Sequence, residues 1–179
     1  MDLLLKNAIQ RIEQKYFERK ERDFAYELYH QLRLLELPNN TEVTCEHPKH
    51  RINFKDAILQ DMLVKRSFFR DGTNENKRIY RYPDLLIHEF ENRNQQLLAV
   101  EIKKRGNANQ IRKDLAKLVV YCRGELNYKK GILIIIQPFD INNQIIEVPE
   151  IKELLQNYPE VEIWTVYPQR IAIYNSSTI

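Results

Sequence analysis

Glycine is scarce in this chain, with four in 179 residues. Gly-rich loops that cradle phosphates are therefore not a theme of its chemistry. Cysteine is scarcer still. Cys45 and Cys122 are isolated thiols with no CxxC between them, so no disulfide framework is expected. The longest apolar run, Ile132 to Ile136, is far too short to cross a bilayer. The opening MDLLLKNAIQRIEQK lacks the apolar stretch of a signal peptide. Charge of one sign is also in short supply: the net formal charge is +3. That balance permits nucleic-acid binding without arguing for it. Internal repeats, low-complexity tracts and Pro/Gly linkers are missing as well. What remains is expected to be a soluble, cytoplasmic chain with no membrane association, folding as a single domain over residues 1–179.

What is present is concentrated between Tyr82 and Arg105, in YPDLLIHEFENRNQQLLAVEIKKR. This stretch predicts two strands, Asp84 to Phe90 and Leu97 to Lys104, joined by the polar turn Glu91–Gln96. Side chains alternate faces along a strand. Ala99, Glu101 and Lys103 therefore share one face, and Leu98, Val100 and Ile102 the other. On the first strand Asp84 shares a face with Leu86 and His88. Folding symmetrically about the turn pairs Asp84 with Lys103 and Leu86 with Glu101. Asp84 and Glu101 then become diagonal neighbours, about 5 to 8 Å apart at Cβ.

Charged groups in a run as apolar as LLAVEIKK are costly unless paired or bound to a metal. Two carboxylates suit Mg²⁺, which takes one or two protein oxygens and fills its shell with water and substrate phosphate. Such an ion activates water and stabilises charge developing on phosphorus. A neighbouring lysine can orient the water or neutralise the phosphate.

Pro83-Asp84 at the start of one strand, followed by Glu101-Ile102-Lys103 on an apolar neighbour, resembles the PD-(D/E)XK nuclease superfamily, the restriction endonuclease-like group. The resemblance implies an α/β fold with an αβββαβ core, a mixed sheet flanked by helices. To this the chain would add an inserted helix (Asn53 to Phe69) and an extra C-terminal helix and strands. It implies a metal-dependent endonuclease acting on DNA. Asp84 and Glu101 would bind Mg²⁺ or Mn²⁺, the backbone carbonyl of Ile102 would complete the shell, and Lys103 would be catalytic. Specificity would come from DNA shape, a homodimer or a partner subunit. The alternative is a non-catalytic nucleic-acid-binding or assembly module with the same fold.

The rest of the chain is consistent with that order. Residues 2 to 36 predict helix, broken near Tyr16 to Lys20. Phe17, Phe24, Ala25, Leu28, Leu32 and Leu35 form one apolar arc, with Glu21 projecting into its middle and Glu27 on its flank. In the superfamily the first core helix commonly carries a glutamate that faces the metal; Glu21 is the first choice and Glu27 the second. Thr41 to Cys45 predicts a strand. Lys77, Arg78 and Arg81 are candidate phosphate contacts, as is Lys104. Gln110 to Cys122 predicts a helix. Its Lys117-xxx-Tyr121 occupies the place of the QxxxY motif of the RecB-like branch, with lysine replacing glutamine. Lys117 is thus a candidate to contact phosphate or to pair with Asp84 or Glu101. ILIIIQP predicts a strand buried on both faces, Pro149 to Asn157 a helix, and Val161 to Val166 and Ile171 to Tyr174 two further strands.

Overall fold

The structure, a computed structural model, describes residues 1–38, 40–45, 51–52, 64, 79–80, 83–89, 96–124, 126–137 and 145–179. The N-terminal segment is three helices: α1 (Asp2–Gln10), α2 (Gln14–Glu18) and α3 (Glu21–Arg33). The second break falls where the sequence placed it, and the first falls earlier. On one unbroken helix Ile12 and Phe17 would sit about 140° apart. The break lets both reach the core, where they are 6% and 5% exposed.

Strands follow as β1 (Thr41–Cys45), β2 (Arg51–Ile52), β3 (Ile79–Tyr80), β4 (Leu85–Glu89) and β5 (Gln96–Lys104). Helix α4 (Ala108–Arg123) leads to β6 (Lys130–Ile136), and α5 (Pro149–Asn157) to β7 (Val161–Tyr167) and β8 (Arg170–Tyr174). The protein is thus of the α/β class, with a six-stranded mixed sheet in the order β1-β4-β5-β6-β7-β8. Strands β5, β6 and β7 are parallel to one another, and the remaining pairings in the sheet are antiparallel. Strands β2 and β3 form a separate antiparallel pair.

Alternation along each strand sends two apolar sets to opposite faces. Leu85, Ile87, Val100, Ile102, Ile132, Ile134 and Trp164 pack with Leu5, Phe24, Leu28 and Leu32 of α1 and α3. Leu86, Ala99, Leu133, Ile135 and Ile163 pack with Leu115, Leu118 and Val119 of α4 and Leu154 of α5. With helices on both faces, the central strands lose the polar alternation of a half-exposed sheet. The predicted inserted helix lies outside the described residues except for Val64, which is fully buried on the α4 side. Among the described residues no helix is long and apolar enough to cross a membrane.

The central hairpin has a different register from the symmetric one. Leu85 pairs with Val100, Leu86 with Ala99 and Ile87 with Leu98. One further step sets Asp84 against Glu101, not Lys103, and Leu86 against Ala99, not Glu101. The pairing also shifts by one residue on the turn side, from Ile87–Leu98 to His88–Gln96, which leaves Leu97 as the extra residue of a bulge. The offset from symmetry is two residues, so every side chain keeps its face.

Candidate active site

Six ionisable side chains from four elements meet at the end of β5. Asp84 stands at the entry to β4, just after Pro83. Its Oδ2 accepts the main-chain N–H of Ile102 at 2.6 Å, which ties the first strand of the hairpin to the second. Glu101, on the adjacent strand, is 4% exposed, and its Oε2 is ion-paired with Lys117 Nζ of α4. Lys103 Nζ lies 3.5 Å from Glu21 Oε1 and 3.4 Å from Asp114 Oδ2. Lys117 Nζ is also 3.9 Å from Asp114 Oδ1. Glu21, the first residue of α3, accepts the N–H of Lys104 through Oε2 at 2.9 Å. Helix α3 packs on the other face of the sheet, so Glu21 meets β5 at the end of the strand. Glu27 does not join the cluster through its Oε1, which accepts from Gln31 Nε2 within α3 at 2.7 Å.

The turn after β5 delivers α4 to this point. Arg105 adopts a left-handed conformation with φ 57°. Gly106 follows, and a Cβ there would stand 2.7 Å from Lys103 Cγ. The absence of a side chain at Gly106 is therefore what lets Lys103 lie over the turn. Asn107 then caps α4: its side chain accepts from Gln110 N at 3.0 Å, and the Gln110 side chain accepts from Asn107 N at 3.2 Å. This reciprocal cap satisfies two orphan donors and fixes where the helix starts. Asp114 and Lys117, one turn apart, then face β5.

Burial and charge set the protonation of the group. Desolvation raises the Asp84 carboxyl from its ordinary 3.8 to about 6, against the opposing pull of the Ile102 N–H and of Lys117. Glu101 is pushed well above the usual range, first by burial, with Lys117 opposing and Asp84 and Asp114 adding repulsion. For Lys103, burial favours the neutral amine, but Asp114, Glu21 and Asp84 outweigh it and hold the group above the normal lysine range. Lys103 is thus a cation and not a base. Two ammonium groups face four carboxylates, and Glu101 Oε1 is buried without a hydrogen-bond partner among the described residues.

The donor set suits a hard divalent cation. Asp84 and Glu101 supply carboxylate oxygens, and Glu101 Oε1 has no hydrogen-bond partner among the described residues. An extended residue points its N–H and C=O to the same side, so the Ile102 carbonyl opens toward Asp84 as well. Among the described residues, however, no three Asp, Glu, His or Cys side chains close on a single point. Lys117 stands between Glu101 and Asp114, and Lys103 between Glu21 and Asp114.

The candidate nucleic-acid contacts divide. Lys77, Arg78 and Arg81 lie outside the described residues. Lys104 Nζ donates to the main-chain carbonyls of Glu18 and Arg19 and so caps α2. Lys117 is buried in the acidic cluster, not presented on the surface. A cationic ridge does lie beside the site, on α3. Arg22, Tyr26, Tyr29 and Arg33 share one helical stripe. Arg22 stacks on Tyr26 at 5.1 Å and Arg33 on Tyr29 at 5.8 Å, each also donating to the tyrosine hydroxyl.

Two features escaped the sequence reading. Asp114 reads as half of an ordinary i, i+3 surface pair with Lys117, and only the packing of α4 reveals its contact with Lys103. The α3 ridge was signalled by the i, i+4, i+7, i+11 spacing of its residues. Comparisons with protein-family models, with curated proteins and with solved structures find no match.

Proposed function

We propose that this protein is a divalent-metal-dependent endonuclease of the PD-(D/E)XK kind, hydrolysing phosphodiester bonds in DNA. The observation that carries the reading is the joint placement of Asp84, Glu101 and Lys103 on one face of two paired strands, with Glu21 closing the group and Glu101 Oε1 left without a donor. The succession α3, β1, β4, β5, α4, β6 follows the αβββαβ order that the resemblance implies.

Asp84, Glu101 and the Ile102 carbonyl would hold Mg²⁺ or Mn²⁺. The ion would supply a water of lowered pKa and positive charge beside the phosphate. Lys103 keeps its proton, so its role is to donate: it holds the attacking water and offsets charge growing on the phosphate oxygens. Glu21 and Asp114 grip the Lys103 ammonium from two sides and fix its position. Glu21 is also the more exposed acid of the group and is placed to accept a hydrogen bond from that water. The Arg22–Tyr26–Tyr29–Arg33 ridge begins one residue from Glu21. It offers positive charge and ring faces to a phosphate backbone and its bases.

The non-catalytic alternative draws support from one observation, the Lys117–Glu101 pair, which neutralises the central acid without any metal. Nicking of supercoiled plasmid separates the two readings. With Mg²⁺ the native protein is expected to nick DNA, and Asp84→Ala and Lys103→Ala each to lower the rate about 100-fold or more. Equal cleavage by these variants removes the enzymatic reading, and salt-sensitive binding without cleavage in any divalent metal establishes the alternative.

A further inference from the structure

We propose that Lys117 is a resident counter-ion: its ammonium occupies the place of a divalent cation beside Glu101, competes with that cation for the carboxylate, and moves to Asp114 when the cation enters. The inference rests on the metal-centre reading above and concerns what controls loading of that centre.

A lysine 7% exposed inside a fold needs a compensating charge, and Glu101 provides it. The pairing is one-sided, however. Lys117 engages Oε2, whereas Oε1 is buried without a partner. A structural ion pair at this depth ordinarily satisfies both oxygens. Glu101 therefore has an unfilled demand for positive charge that one ammonium does not meet.

A second seat for the ammonium is already in place. Asp114 Oδ1 stands 3.9 Å from Lys117 Nζ, one helical turn back on α4. Moving there keeps the ammonium beside a carboxylate and frees Glu101 Oε2. The charge count agrees. With all four carboxylates ionised, as metal binding requires of its ligands, two lysines leave an excess of two negative charges, which one divalent ion offsets. If Lys117 stayed on Glu101 as the ion arrived, two cations would share one carboxylate at strong mutual repulsion.

The test needs no DNA and no turnover. Mn²⁺ is titrated calorimetrically into the full chain as native protein, Lys117→Met, Lys117→Gln, Asp114→Asn and the Asp114→Asn/Lys117→Met double variant, each first checked for folding by circular dichroism. Removing the competing charge is expected to tighten Mn²⁺ binding at least 10-fold in Lys117→Met and by less in Lys117→Gln, which retains a neutral donor. Asp114→Asn is expected to weaken binding in the native background, because the ammonium loses its second seat. That effect should shrink once Lys117 is gone. Equal or weaker binding by both Lys117 variants, beside a native protein that binds, overturns the competition while leaving the metal centre intact. Binding by the Lys117 variants alone upholds the competition and shows that Lys117 keeps the native site closed. Absence of binding in every protein overturns both the competition and the metal centre.

Discussion

Two buried ionic groups sit in the same sheet, and they are built differently. The first surrounds Glu101 on β5 and faces α4. The second surrounds Glu162, two strands away on β7, on the face covered by α1. Glu162 Oε2 accepts from Trp164 Nε1 at 2.8 Å, and Oε1 accepts from Asn175 Nδ2 at 3.3 Å and faces Lys130 Nζ at 3.0 Å. Lys130 is held from its other side by Asp2 at 2.5 Å. Both glutamate oxygens are thus satisfied, and the group ties α1, β6, β7 and the segment after β8 together. Glu101 has one oxygen paired and one bare, among acids that repel it. A closed, fully satisfied network holds a fold together, whereas a partly satisfied one is a candidate site for a ligand.

The largest effect that sharpens this contrast is expected at Glu162. Glu162→Leu strands the Trp164 N–H and deprives Lys130 and Asn175 of a partner, and should cost about 2–4 kcal/mol in urea unfolding. Cleavage per folded molecule should not change; a fall in both would erase the distinction between the two groups.

Asp84→Asn should do the reverse, abolishing cleavage while stabilising the metal-free protein. The folded state holds the Asp84 proton more tightly than the unfolded chain does, at about 6 against 3.8. That contribution to stability is therefore present at low pH and is lost as pH rises from about 4 to about 6. Urea midpoints of the native protein and the variant should agree near pH 4. By pH 8 they should diverge in favour of the variant, by about 1–3 kcal/mol. A variant less stable than native at pH 8 would place Asp84 among the structural groups.

The smallest effect on stability is expected at Gly106. Gly106→Ala drives a methyl group against Lys103 Cγ at 2.7 Å and the buried Ile111 Cγ1 at 3.1 Å, which must yield. Unfolding should shift by about 1 kcal/mol, while plasmid nicking slows because the ammonium is displaced.

Much of the candidate site was legible because β-strand alternation has a period of two. The faces of Asp84, Glu101 and Lys103 survive an even offset, so the two-residue departure from the symmetric register altered which residues pair without separating them. Glu21 was legible as an acid within an apolar helical arc. Asp114 was not, because its contact with Lys103 depends on how the turn after β5 docks the helix, and the same spacing suits a solvated surface pair. Glu162 was open to the reasoning applied to Glu101, an acid within an apolar run, VEIWTVY. The role of Lys130 at the head of β6 depends on Asp2, and that contact exists only once α1 has docked.

The chain contains a single tryptophan, Trp164, and it belongs to the closed network, fully buried and hydrogen-bonded to Glu162. Its intrinsic fluorescence is thus a native optical gauge of the scaffold alone. A wavelength shift on denaturation will report loss of the β7 environment, while loading of the acidic cluster two strands away should leave the emission maximum where it was.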